Sequence, residues 1–282
     1  EDRLKPILTA GGELLAGCRG VLDTEAVATL RQHAKMRIMG QTDLPDMKEM
    51  LRYELRNTDA IDRFVTVSNE EAALVRAIVN CDVHVLGHVK TPSPQARPFG
   101  ERRHFLFVGA IQNLESPNWD ALSWLNDHVV PYLDNFLPED IRIRVAGYVG
   151  EDIDLSTIVT HPRFELLGAV EDLAPLYEEH RVFIAPTRFA AGIPYKIHEA
   201  AAHGLPIVAT DLLIRQVGWE AGVDIACALE TQPLAFAGEM QQIYSDENLW
   251  TRIRRNALHR IFLETRAGDY KRRLKDILNF DH

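Results

Sequence analysis

Along this chain, apolar runs of strand length alternate with stretches whose apolar residues recur at helical spacing, the pattern of parallel βαβ units. Gly20-Val21-Leu22-Asp23 reads as a short buried strand, followed by a helix from about Thr24 that carries Ala26, Leu30 and Arg31. Lys48 to Thr58 predicts a helix and Arg63-Phe64-Val65-Thr66-Val67-Ser68 a strand. Ser68 with Glu71 three residues on has the capping-box spacing, so a helix through Ala72 to Ile78 is expected. Asp82-Val83-His84-Val85-Leu86 is the next strand. The segment Lys90-Thr91-Pro92-Ser93-Pro94-Gln95-Ala96-Arg97-Pro98-Phe99-Gly100 then interrupts the pattern, because its prolines break any regular element.

Beyond that break the alternation resumes. His104-Phe105-Leu106-Phe107-Val108-Gly109 predicts a buried strand ending in a glycine turn. Pro117 to Leu125 predicts a helix, with Ser116 as its cap and Pro117 at its first position. Strands follow at Ile141–Tyr148, Phe164–Gly168, Arg181–Pro186 and Leu205–Thr210, the last closing the series. Helices are expected at about Glu171–Glu179 and Tyr195–His203. The tail from Leu234 to Phe280 reads as almost all helix, with Phe236, Met240 and Ile243 at helical spacing. Five strand candidates after residue 103 fit a complete sheet, and about three before residue 90 leave an incomplete one.

Composition narrows the class. At 282 residues the chain has room for one to two domains, and 46% hydrophobic with 26% charged residues is ordinary for a globular protein. A net charge of −10 argues against a broad nucleic-acid surface, yet a few oriented amides and cations can still hold a diphosphate. Cys18, Cys81 and Cys227 lack CxxC spacing and suit a reducing, cytoplasmic compartment. No apolar run is long enough to span a bilayer, so no transmembrane segment is expected, and peripheral membrane contact stays open. The start Glu1-Asp2-Arg3-Leu4-Lys5-Pro6 lacks an initiator Met and a signal-peptide layout, and it is read as a cut end.

The chemistry concentrates between Ile184 and Thr210: strand, glycine-containing loop, short helix, glycine stop, strand. Ligands of open α/β sheets bind where strands end and helices begin. A loop at Gly192 lets backbone approach a ligand, and free N–H groups at a helix start favour an anion. Lys196 and Glu199 stand three apart on one helix face, a cation for a diphosphate beside a carboxylate for vicinal hydroxyls. The same spacing also fits an ordinary surface Lys–Glu pair.

Several segments, in order, resemble one family. Gly192-Ile193-Pro194-Tyr195-Lys196-Ile197-His198-Glu199-Ala200 resembles its Gly-x-x-x-Lys-x-x-Glu-Ala segment, and Gly204-Leu205-Pro206-Ile207-Val208-Ala209-Thr210 the strand that follows. Phe107-Val108-Gly109 with Ser116-Pro117-Asn118-Trp119-Asp120-Ala121 resembles its first donor-domain strand and helix. Leu167-Gly168-Ala169-Val170-Glu171-Asp172-Leu173 resembles a loop beside the nucleobase, and Val65-Thr66-Val67-Ser68-Asn69-Glu70-Glu71-Ala72 the last βα unit of an acceptor domain. The family is glycosyltransferase family 4, with the GT-B fold of two facing Rossmann-like domains. The resemblance covers roughly residues 60 to 265 and continues weakly to residue 20.

The resemblance implies an α/β, GT-B-type chain: a partial acceptor-side domain over 1–90, a linker over 91–102, a Rossmann-like donor domain over 103–262 and a C-terminal helix over 263–282 that packs back on the first domain. It implies transfer of a sugar from a UDP-, GDP- or dTDP-sugar to a hydroxyl of a glycan, lipid-linked or protein acceptor, retaining, with neither cofactor nor metal. Glu199 would bind the donor ribose; Lys196, with the amides of Gly192 and Ile193, would face the diphosphate across an interdomain crevice. Gly109 would admit the phosphates and Val170 would meet the base. Where relatives often carry a further Glu, this chain has Ala191; Ala110 and Glu115 replace a frequent Arg and Lys. The diphosphate charge then falls on Lys196, the helix dipole and Arg188. Two rival classes remain, a nonenzymatic nucleotide-sugar-binding module of a larger protein and a sugar epimerase; a dehydrogenase is disfavoured because no strand leads into GxGxxG.

Other polar residues have blander readings. His198 is taken as a packed or surface histidine, Asp23 and Glu25 as helix-start carboxylates, and Trp119 and Trp124 as core. Arg252, Arg254 and Arg255 are expected on a solvated helix face, and Glu151, Asp152 and Asp154 in a solvated loop.

Overall fold

A computed structural model describes Pro6, Gly11, residues 17–94 and residues 96–280. The reading of the first residues as a cut end therefore falls, Pro6 apart, outside the described residues. The chain divides into two compact units: Glu1–His88 with Ala191–Ile193 and Ala267–His282, and Val89–Ala190 with Pro194–Arg266.

In the smaller unit, β1 (Val21–Asp23), β2 (Arg63–Thr66) and β3 (Asp82–Val85) form a parallel sheet in that order. Its helices are α1 (Ala28–Ile38), α2 (Met47–Glu54) and α3 (Asn69–Arg76). Phe64, Ala72, Val75 and Val83 are buried together with Val27 and Leu51, which places the helices on one face. The helix Ala267–Leu278 supplies Ile277, Leu274 and Tyr270 to a second cluster with Val65 and Leu86. Arg63 Nη1 donates to the Ile277 carbonyl at 2.7 Å.

The Ser68–Glu71 pair behaves as only half a capping box. Ser68 accepts from the Glu71 N–H at 3.2 Å, which starts α3. The Glu71 carboxylate does not return to Ser68: Oε1 accepts from the Val27 N–H at 3.1 Å and the Gly192 N–H at 2.8 Å. Burial pushes that carboxyl above the usual range, against the two amide bonds.

The larger unit holds six parallel strands: β4 (Arg103–Val108), β5 (Ile143–Ala146), β6 (Phe164–Gly168), β7 (His180–Ala185), β8 (Ile207–Thr210) and β9 (Ala226–Ala228). Their order is β6-β5-β4-β7-β8-β9, a doubly wound sheet whose strand order reverses between β4 and β7. β4 leads into α4 (Pro117–Trp124), which runs through a π turn at Leu125–Val129 into α5 (Val130–Leu133). The remaining helices are α6 (Ala174–Glu179), α7 (Tyr195–Ala202), α8 (Asp211–Val217), α9 (Pro233–Ser245) and α10 (Glu247–Glu264).

Period-2 alternation gives each face its own core. Phe105, Phe107, Ile143, Val145, Val182 and Ile184 pack with Leu122 and Trp124 of α4 and Phe236 and Met240 of α9. Leu106, Phe183, Ala185, Ile207 and Ala209 pack with Tyr177, Ile197, Leu213 and Ile261 on the other face. Core side chains of this size stabilise by about 1.5–3 kcal/mol each.

Three expectations change. The series does not close at Thr210: α8 and a sixth strand follow, and Ala226-Cys227-Ala228 is too short and too weakly apolar to read as a strand alone. The helical tail is broken twice, where Asp246 caps α10 by accepting from the Asn248 and Leu249 N–H groups and where α10 ends before Thr265. Arg254 is half-buried, its guanidinium 5.3 Å from the Trp250 ring centroid, unlike the exposed Arg252 and Arg255.

Candidate functional site at the sheet switch point

In the larger unit, the loops leaving the C-terminal ends of β4 and β7 flank the place where strand order reverses, and they carry Gly109 and Arg188. Two elements supply the polar groups there. Ser116 caps α4 by accepting from the Trp119 N–H at 3.1 Å, with Pro117 at the first helical position, and this fixes Asn118 and Asp120 in the first turn. α7 begins after Pro194 without a side-chain cap and carries Lys196 in its first turn.

Lys196 is half-buried, donating to Asn118 Oδ1 at 2.7 Å with its ammonium 5.1 Å from the Phe107 ring centroid. Among the described residues no carboxylate pairs with it, and burial pushes it down to about 8. Asn118 Nδ2 in turn donates to the Ala110 carbonyl at 2.8 Å, so the amide is held with its oxygen toward the lysine. Gly109 is what makes room: a Cβ there would lie 2.6–2.8 Å from the Asn118 side chain.

Arg188 sits beside the same helix but is committed to Asp120, with Nε 2.9 Å from Oδ2 and Nη2 on Oδ1. Its charge is therefore neutralised within the protein. Glu199 does not pair with Lys196, although both are on α7. It accepts from Lys90 Nζ at 3.1 Å, and that ammonium also reaches the Tyr195 hydroxyl at 3.3 Å. Burial acts to lower Lys90; the bonds to Glu199 and Tyr195 outweigh it and hold the ammonium above the ordinary lysine range. Val170 is half-buried in the loop after β6.

Gly192 and Ile193 are counted with the smaller unit. Gly192 has φ +80°, and a Cβ would lie 2.9 Å from the Glu25 carbonyl oxygen, so only glycine fits. Its N–H is taken by Glu71, so in this conformation that amide is already occupied by a carboxyl oxygen of the protein's own.

The structure thus gathers Gly109, Lys196 and Arg188 around α4, and sets Glu199 beside Lys90. Sequence reasoning missed Asn118, Asp120 and Lys90 as partners. A polar residue just inside a Pro-headed helix facing a glycine turn was the available signal for Asn118; Lys90 gave none. His198 is buried, with its ring 5.7 Å from that of Trp219.

The family described as glycosyl transferases group 1 matches residues 102–246, more than half of the chain. The chain belongs to that family. Its glycosyl transferase fold recurs in solved structures. S. aureus TarM, as a mutant in complex with Fondaparinux, alpha-GlcNAc-glycerol and UDP, is similar with TM-score 0.70 at 12% identity, over 93% of this chain and 50% of that one. Sucrose-phosphate synthase from Thermosynechococcus elongatus gives TM-score 0.68 at 14% identity, over 91% and 66%. The pneumococcal O-GlcNAc transferase GtfA, in complex with UDP and GlcNAc, gives 0.60 at 17% identity, over 80% and 46%. This chain spans about half the length of TarM and GtfA, and at these identities the likeness is one of fold, that of GT-B glycosyltransferases with Rossmann-like domains. A comparison with curated proteins gives no match. Among the described residues no helix is long and apolar enough to cross a membrane.

Proposed function

We propose that this chain carries the donor site of a glycosyltransferase that moves a sugar from a nucleotide-diphosphate sugar to an acceptor hydroxyl, with retention and without a metal ion. The observation that carries the reading is Lys196: a sheltered ammonium with an amide and an aromatic face but, among the described residues, no carboxylate, at the switch point of a doubly wound sheet. A desolvated cation without a counter-charge is costly to a fold and useful to an anionic ligand.

In the proposed reaction, the bond between the sugar's anomeric carbon and the diphosphate oxygen breaks. The acceptor oxygen bonds to that carbon on the same face, and the acceptor's proton leaves with the nucleoside diphosphate. Charge grows on the leaving diphosphate, where Lys196 and the amides opening α7 stabilise it more than in the ground state. Glu199 accepts from the ribose hydroxyls, Gly109 keeps the phosphate side open through its contact with Asn118, and Val170 borders the base. UDP, present in the TarM and GtfA complexes, is the first nucleotide to test, with GDP and dTDP beside it. Glycan, lipid-linked and protein hydroxyls are the acceptor classes proposed.

A thermal-shift panel of UDP, GDP and dTDP on the wild type, Lys196→Ala and Glu199→Ala tests the site. One nucleotide is expected to stabilise the wild type, by about 2.7 kcal/mol at a hundredfold excess over Kd, and to lose its effect in both variants. Undiminished stabilisation in both would remove the assignment. Released nucleoside diphosphate together with glycosylated acceptor identifies the transferase. Stabilisation without turnover identifies a binding module instead, and product from nucleotide sugar alone an epimerase.

A further inference from the structure

We propose that Lys90, a residue of the segment after β3, is a positioning residue for the donor ribose: it holds one carboxylate oxygen of Glu199 so that the other is presented to the ribose hydroxyls. The inference rests on the reading of Glu199 as the ribose acceptor and adds to it a residue outside the motif.

The Lys90–Glu199 contact is built rather than incidental. The Lys90 carbonyl accepts from the Thr265 hydroxyl, and Thr265 is itself buried at the end of α10. Three residues on, the Ser93 N–H donates to the Ala202 carbonyl at 2.8 Å, tying the same segment to the end of α7. Between these two anchors the Lys90 side chain lies over the Tyr195 ring, its ammonium 5.2 Å from the centroid, and ends on Glu199 Oε1. Side-chain exposure is 19% for Lys90 and 25% for Glu199, so the pair is sheltered from the screening that makes surface ion pairs weak.

A glutamate on a helix has three rotatable bonds, and an unheld carboxylate must lose that freedom when a vicinal diol docks on it. A lysine anchored at its own backbone fixes the carboxylate plane beforehand, which is preorganisation. Tyr195 completes the arrangement by reaching the same ammonium from α7. Lys90 acts through Glu199, so its effect should depend on the ribose hydroxyls and not on the phosphates.

Binding of UDP and GDP, each against its 2′-deoxy counterpart, is measured by calorimetry on the wild type, Lys90→Met, Lys90→Arg and Glu199→Gln. The wild type is expected to prefer the ribonucleotide and Glu199→Gln to lose the preference. Lys90→Met should shrink it about tenfold and weaken the 2′-deoxynucleotide, which keeps only the 3′-hydroxyl for Glu199, by much less, with partial recovery in Lys90→Arg. Should Lys90→Met not fold, Lys90→Gln is read in the same way. The proposal is overturned if the preference survives Lys90 replacement, if both nucleotides weaken equally, or if the ribonucleotide binds more tightly because Lys90 had competed for Glu199. If neither nucleotide binds the wild type, or Glu199→Gln keeps the preference, it is the ribose assignment of Glu199 that fails.

Discussion

Around Lys196 an ammonium meets an amide oxygen and the face of Phe107; around Lys90, in the same compact unit, it meets a carboxylate and a phenol. The first environment lowers the lysine to about 8 and the second raises it. An acid was within the protein's means at the first position. Asp120 stands two residues beyond Asn118 on α4, but it is held by Arg188. At 4 Å a unit charge pair near a protein surface is worth about 4 kcal/mol, so leaving one cation with no carboxylate among the described residues is a large asymmetry. The comparison separates two uses of lysine: one neutralised to hold a carboxylate in place, one left charged for an anion that arrives with the ligand.

Replacing each lysine by methionine is the strongest way to break that distinction. Lys196→Met should lower kcat/KM for transfer by about 10²–10³-fold, the scale of losing one preorganised group aimed at developing charge. The free protein should be no less stable, since a desolvated ammonium without a counter-charge has been removed. Lys90→Met should instead lower stability by about 1 kcal/mol, because Glu199 is left sheltered without its cation. Melting temperatures and steady-state kinetics on both variants decide it. Equal destabilisation by the two substitutions would mean that the two sites are not different in kind.

A smaller effect is expected from Gly109→Ala, which leaves both lysines in place. The added Cβ would come within 2.6–2.8 Å of the Asn118 side chain, which must swing away and release Lys196. Nucleotide affinity should fall about tenfold, with a stability cost of about 1–3 kcal/mol from overpacking. Unchanged affinity would show that Asn118 does not set the position of Lys196.

What was legible in the chain follows the range of the interactions. The strands at Phe105–Val108 and Arg181–Ala185 announce themselves because both sheet faces are buried and nearly every position is apolar. The caps at Ser68 and Ser116 are equally local. Ala226–Ala228 is a strand only because β8 offers it an edge, which no window of sequence displays. The same division runs through the site. Lys196 and Glu199 lie in one readable motif, but their partners are 78 and 109 residues away in the chain, and so their charge states were not readable. The i, i+3 spacing suggested a pair, and the fold gave each residue a different partner. Glu71 repeats the lesson: spacing made it a capping residue, and burial beside Val27 and Gly192 made its carboxylate an acceptor for distant amides.

The finest test of the comparison is pH, because only one of the two lysines titrates near neutrality. Lys196 falls to about 8 from an ordinary 10.5 because burial disfavours its charged form. Between those values the unfolded chain keeps the proton that the folded protein has lost, so this lysine's contribution to stability rises with pH across the window and is flat below it. A diphosphate favours the charged form, so nucleotide affinity should run the opposite way and weaken as pH rises through about 8. If the ammonium stays protonated in the complex, affinity should drop about fourfold from pH 7 to pH 8.5, with proton uptake on binding at the higher pH. Calorimetry in buffers of different ionisation enthalpy reads both quantities. Lys90, held above the ordinary range by Glu199 and Tyr195, stays charged throughout and contributes no slope there. Lys196→Met should therefore abolish the dependence and Lys90→Met should preserve it; a slope that survives Lys196→Met would assign the titration, and with it the anion contact, to another group.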